Sequence, residues 1–159
     1  MSSGPAYKLR QAISADVEAI VDLVNRAFDV ERFFKSGDRT DAQQIRTLLD
    51  EGAFLLLEDG KTLVACLQVK LNGERSYLGM LAVEPSLQNS GIGRRMMREG
   101  EDFSRSAGCK FADIRVVSVR PELPLIYRKL GYIESGTESA AVISSATMPV
   151  HFVKMSRPL

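Results

Sequence analysis

The sequence predicts a mixed α/β domain in which an antiparallel meander precedes a βαβ unit. Three observations carry that expectation. Asp59-Gly60 and Asn72-Gly73 punctuate three apolar runs, and both dipeptides suit type I′ hairpin turns, whose central residues need positive φ. An amphipathic pattern over residues 91 to 107 lies between two strand-like runs, which implies a right-handed parallel crossover. No repeat, linker or composition shift divides the 159 residues, so one domain over 1–159 is expected.

Residues 7 to 13 alternate apolar and polar side chains, the pattern of a half-buried strand. Ser14 is placed to cap a helix in which Val17, Ile20, Val21, Val24 and Phe28 form one apolar stripe. Residues 29 to 39 lose that period and contain Ser36-Gly37-Asp38, which is loop chemistry. Thr40-Asp41-Ala42-Gln43 has capping-box character and opens a second helix. Ile45, Leu48 and Leu49 form its apolar face, and Gly52 is placed to end it. Strands follow over 53 to 57, 62 to 71 and 75 to 83, and Pro85 stops the third. The helix over 91 to 107 carries Ile92, Met96, Phe103 and Ala107 on one face, with Gly108 as its stop. Gly100 inside it costs about 1 kcal/mol relative to Ala, which marks a tight packing contact. A strand over 111 to 119 comes next. Pro121 then opens a helix, since a first turn needs no internal N–H donor. That helix carries Leu123, Ile126, Tyr127 and Leu130 and closes at Gly131. Residues 132 to 137 and 150 to 155 read as closing strands around a small, polar stretch over 138 to 148.

Composition narrows the function. At 45% hydrophobic and 26% charged residues, the chain resembles ordinary soluble domains. Its 21 basic and 20 acidic residues leave a net charge of +1, without the basic surplus that nucleic-acid binding needs. Cys66 and Cys109 do not make a disulfide framework, and Cys66 reads as a buried free thiol. With a single histidine, His151, no metal is expected. The start over 1 to 5 lacks a basic-then-apolar signal, and no apolar stretch approaches the ~20 residues that cross a bilayer. A cytoplasmic protein without a membrane partner is expected.

The chemistry concentrates in residues 81 to 95, which end a strand, make a loop and open a helix. A helix N-terminus has unpaired N–H groups and partial positive charge, so it attracts anions. Gly91 and Gly93 allow close approach to the backbone, and Arg94 and Arg95 either touch phosphate or are solvated. This is a phosphate or pyrophosphate cradle. It lacks the glycine spacing and Lys of a P-loop, and Met96 stands where a dinucleotide fingerprint needs its third glycine.

What remains is Gln88-Asn89-Ser90-Gly91-Ile92-Gly93, a Gln-x-x-Gly-x-Gly pattern that resembles the coenzyme-A loop of the GNAT N-acetyltransferase superfamily. The order of elements is similar to that superfamily, and 125 to 132, Leu-Ile-Tyr-Arg-Lys-Leu-Gly-Tyr, resembles its later Tyr-containing segment. The resemblance is strongest over 77 to 133 and weak beyond Thr137. It implies a central sheet with two splayed parallel strands and acetyl-coenzyme A as co-substrate. Backbone groups of Leu81, Ala82 and Val83 would pair with the pantetheine arm and polarise the thioester carbonyl. Residues 88 to 93 would bind the pyrophosphate. Tyr127 would protonate the departing thiolate. Phe33 and Phe34, with Arg32 and Arg39 nearby, would wall an acceptor site.

Many members carry Asn near the start of the last short helix, where this chain has Arg120, so a coenzyme contact there is not implied. A general base is not singled out. Glu31, Glu74, Glu84 and His151 are candidates, as is an ordered water. The acceptor is a small-molecule or peptide amine of unspecified identity. Family members often dimerise. A non-catalytic acyl-coenzyme A sensor is the alternative function.

Overall fold

The computed structural model describes residues 6–33, 37–139 and 146–159, apart from the Arg32 side chain. The start over 1 to 5, Phe34 and much of the stretch expected to be weakly patterned lie outside those residues. The strands are β1 (Tyr7–Gln11), β2 (Ala53–Asp59), β3 (Thr62–Asn72), β4 (Arg75–Val83), β5 (Phe111–Val117), β6 (Ile133–Ser139) and β7 (His151–Pro158). They form one seven-stranded sheet in the order β1-β2-β3-β4-β5-β7-β6. Neighbours are antiparallel except β4 and β5, which are parallel. The meander is β2-β3-β4. The crossover between β4 and β5 contains α3 (Ile92–Ser106). The expected fold class is what the structure shows.

Side-chain alternation sends each central strand's residues to two separate cores. On one face Leu55, Leu57, Ala65, Leu67, Leu78, Ala112, Ile114 and Val116 pack with Ile92, Met96 and Met97 of α3. On the other, Phe54, Leu56, Cys66 and Ala82 pack under α1 (Val17–Ala27) and α2 (Ala42–Glu51). Covering both faces explains why β2 and β3 read as nearly continuous apolar runs rather than strict alternations. Burial also pushes the Cys66 thiol up to about 12. That keeps it protonated, as befits a core residue.

Several local expectations are corrected. Ser14 does not cap α1. It starts a 3-10 turn, Ser14–Asp16, while the Asp16 carboxylate accepts the Ile13 N–H at 2.8 Å and pairs with Arg10 at 2.7 Å. A charged oxygen held by an arginine is the stronger acceptor for that donor. The α1 stripe also includes Leu23, fully buried, while Val21 and Phe28 are only half-buried. Asp41, not Thr40, caps α2, its carboxylate accepting the Gln44 N–H at 2.8 Å. Ala107 is exposed because it lies past the end of α3, whose buried face instead runs through Met97, Gly100, Glu101 and Ser104. Ile126 is half exposed, because only Leu123 and Tyr127 of α4 (Glu122–Lys129), with Leu130 at its C-cap, face the core.

Gly100 is where α3 meets the sheet. A Cβ there would sit 2.5 Å from Leu67 Cδ2 and 3.3 Å from Leu78 Cδ2. Leu67 is fully buried and has little room to retreat. Gly100→Ala should therefore destabilise by about 1 kcal/mol. An overpacking cost of about 1–3 kcal/mol outweighs roughly 1 kcal/mol of helix propensity. Urea denaturation should show a lowered midpoint at constant slope. A raised midpoint would mean the leucines yield freely.

Candidate active site

The site begins where two strands part. β4 and β5 pair only through Arg75 with Phe111, Ser76 with Ala112 and Tyr77 with Asp113. Beyond those pairs the two strands no longer pair with each other, although each keeps its outer neighbour, and a cleft of about 660 Å3 runs along them. A bulge helps to separate them. The β3–β4 register shifts between Cys66 and Gln68, so Met80 and Leu81 together oppose Leu67. Met80 has φ of +50°, which is unusual for an unbranched non-glycine side chain. The Met80 carbonyl at this bulge accepts from the buried Cys66 thiol at 3.5 Å.

The cleft passes between the two faces of the sheet. Leu67, Leu78, Met97, Ile114, Val116 and Tyr127 line it on the α3 side. Phe28, Glu31, Arg39, Tyr77, Arg115 and Arg120 also line it, and Tyr77 and Arg115 alternate with Leu78 and Ile114 so as to face the α1–α2 side. Gly79 makes room for the Tyr77 ring, since a Cβ there would lie 2.7 Å from Tyr77 Cε1.

At the outer end of β4, Val83 leads through a 3-10 turn, Pro85–Leu87, into the glycine segment. The Gln88 side chain donates to Val83 O at 3.2 Å, and the Ser90 hydroxyl donates to Leu87 O. These bonds tie the loop to itself. Asn89 has φ of +64° and Gly91 +90°. Gly91 is the N-cap of α3, and no side chain caps that helix. Nothing lies within 4 Å of where a Gly91 Cβ would be, and a Gly93 Cβ would meet only Leu81 and Val83 at about van der Waals distance. An uncapped helix mouth with open space in front of it fits a diphosphate. Arg94 is exposed and Arg95 half-buried beside it.

Tyr127 lines the inner part of the cleft, and its ring stands edge-on to Tyr132 at 6.0 Å. Burial pushes its phenol above the ordinary tyrosine range, with Arg120 partly offsetting that effect. Across the cleft, Arg120 pairs with Glu31 at 3.2 Å and with Glu122 at 3.0 Å. Arg120 thus links the turn before α4 to the 3-10 turn Asp29–Phe33.

Of the candidate bases, only Glu31 lines the cleft. Glu74 pairs with Lys110 at the far end of β4 and Glu84 with Arg26, while His151 is exposed in β7 opposite Ser139. Of the aromatic pair expected to wall an acceptor site, Phe33 is half exposed and does not line the cleft. Phe28 and Tyr77 are aromatic residues that do line it. Tyr77 was not singled out by sequence, although Gly79 within a strand hinted at a bulge or a close approach.

The site thus combines two parted parallel strands with an open helix mouth. A family model described as the Acetyltransferase (GNAT) family matches residues 17–132. The chain belongs to that family. Streptothricin acetyltransferase from Streptomyces lavendulae is 32% identical over 85 residues, which are 54% of this chain and 45% of that relative. That match spans under half of the relative's own length. Among solved structures, the ribosomal-protein-S18-alanine N-acetyltransferase from Escherichia coli superposes with a TM-score of 0.80 at 15% identity, covering 96% of this chain and 94% of that one. PaiA N-acetyltransferase from Thermoplasma acidophilum, solved in complex with coenzyme A, has a TM-score of 0.79 at 14% identity, covering 97% and 99%. No helix among the described residues is long and apolar enough to cross a membrane.

Proposed function

We propose that this protein transfers the acetyl group of acetyl-coenzyme A to a primary amine by direct attack. The single observation that carries this reading is the parting of β4 and β5 beyond Tyr77 and Asp113. It leaves a passage between the sheet's faces, with an open helix mouth at one end and Tyr127 within reach of the gap. Family membership and the similar coenzyme A complex support the choice of co-substrate.

In this reading the N–H groups at the start of α3, with residues 88 to 93, hold the diphosphate. Arg94 and Arg95 add charge beside it. The main chain of Leu81, Ala82 and Val83 pairs with the pantetheine arm and donates to the thioester oxygen as negative charge develops there. The neutral amine attacks the carbonyl carbon, a C–N bond forms, and the C–S bond breaks. Tyr127 gives its phenolic proton to the leaving sulfur, while a carboxylate or an ordered water takes the proton of the amine. The products are an N-acetylated amine and free coenzyme A thiol.

The test is calorimetric titration with coenzyme A, followed by a free-thiol release screen with acetyl-coenzyme A against pooled amines. Saturable binding and amine-dependent thiol release are expected. Binding without release from any amine would favour an acyl-coenzyme A sensor. Absence of binding at millimolar coenzyme would overturn the reading altogether.

A further inference from the structure

The charged groups of the cleft are unevenly matched. Its described lining holds three arginines, Arg39, Arg115 and Arg120, and two acids, Glu31 and Asp38. Arg120 is engaged by Glu31 and Glu122. Arg115 pairs with Glu138 at 3.3 Å and also lies over the rings of Phe152 and Tyr77. Arg39 differs. Among the described residues no carboxylate pairs with it within salt-bridge distance, and its guanidinium lies over the Phe28 ring at 5.3 Å. A cation–π contact with an aromatic face holds the guanidinium without consuming its N–H donors. Burial disfavours the charge on Arg39, and Glu31 offsets this only in part.

The position of Arg39 excludes the diphosphate as its partner. Arg39 lies over Phe28 on the α1–α2 side and lines the cleft with Tyr77 and Arg115, at the paired end of β4. The helix mouth follows the opposite end of that strand. We infer that the acceptor amine also carries a carboxylate, and that Arg39 holds that carboxylate in the cleft. The inference rests on the acetyl-transfer reading and names the substrate class for it. A planar guanidinium fork matches a carboxylate in two parallel hydrogen bonds. A purely cationic polyamine is poorly served, since Glu31 is already engaged by Arg120.

The test uses the full chain with acetyl-coenzyme A, amino acids, their α-carboxamides and the corresponding decarboxylated amines. At least one amino acid should exceed its carboxamide by about tenfold or more in kcat/KM. Arg39→Gln should shrink that ratio by roughly 10–100-fold, chiefly through the acceptor KM, the scale of a charge-assisted hydrogen bond. Arg39→Lys, which keeps the charge and loses the fork, should fall between. Carboxamides that react as well as the acids, or a preference that survives Arg39→Gln, would overturn the inference. Calorimetry on the coenzyme-bound protein separates the two claims. Arg39-dependent binding of amino acids without thiol release would sink acetyl transfer and keep the carboxylate site. Thiol release only with amines that lack a carboxylate would do the reverse.

Discussion

Replacing Tyr127 by Phe should lower kcat by about 100-fold while leaving the affinity for coenzyme A nearly unchanged, the scale of losing a general acid. The substitution removes one oxygen. It keeps the ring that packs edge-on to Tyr132, so a change in melting temperature would be a separate structural effect. The pH profile provides a second readout. A proton donor must be protonated to act, and burial raises the Tyr127 phenol above the ordinary tyrosine range, with Arg120 pulling the other way. For a given amine, kcat/KM should rise with pH as the amine loses its proton. Any fall from loss of the phenolic proton should come only above the range in which an ordinary tyrosine, half-ionised at about pH 10, titrates. In Tyr127→Phe any such alkaline fall should disappear. An unaltered kcat in Tyr127→Phe would remove the residue from the chemistry.

The features legible in the sequence were those written locally. Asp59-Gly60 and Asn72-Gly73 set the two hairpins, and β2, β3 and β4 follow within a few residues of expectation. Gly91 and Gly93 marked the helix mouth for a reason visible in one dimension, namely that a helix start needs anions and a ligand needs room. The parting of β4 from β5 was expected only by resemblance. It depends on where pairing stops between residues 36 positions apart, which no local pattern encodes. The α1–α2 side of the cleft was harder still. Phe28 read as the end of a core stripe, and Tyr77 as one residue in a strand. Both became cleft walls because the fold leaves the adjoining space open. Arg120 and Glu31 lie 89 positions apart, and their pairing became visible only in three dimensions.

Glu101 is the largest departure from the sequence pattern, and its removal should cost the most stability. A carboxylate in the buried face of α3 breaks the apolar stripe, yet it is only 2% exposed. Its two oxygens are both used. One accepts the Tyr132 hydroxyl at 2.8 Å and the other the Arg157 guanidinium at 2.7 Å. This joins α3 to the turn after α4 and to β7, three elements far apart in sequence. Glu101→Leu would leave Tyr132 without its acceptor and Arg157 without its counter-charge. Arg157 is about one-third exposed and regains some hydration. The expected loss is therefore about 2–4 kcal/mol, slightly below the range for a fully buried broken pair. At about 2–4 °C per kcal/mol for a domain of this size, the melting temperature should drop by roughly 5–15 °C. Tyr132→Phe alone should cost about 1 kcal/mol, because Glu101 keeps its arginine. Combined, the two substitutions should cost less than their separate effects added together, since the second removes a hydroxyl the first has already orphaned. Strict additivity would show that the Tyr132–Glu101 bond contributes nothing. A double variant as stable as Glu101→Leu alone would instead place its whole worth in that hydrogen bond. Tyr132 also abuts Tyr127, so Glu101→Leu should lower kcat at temperatures well below its melting point.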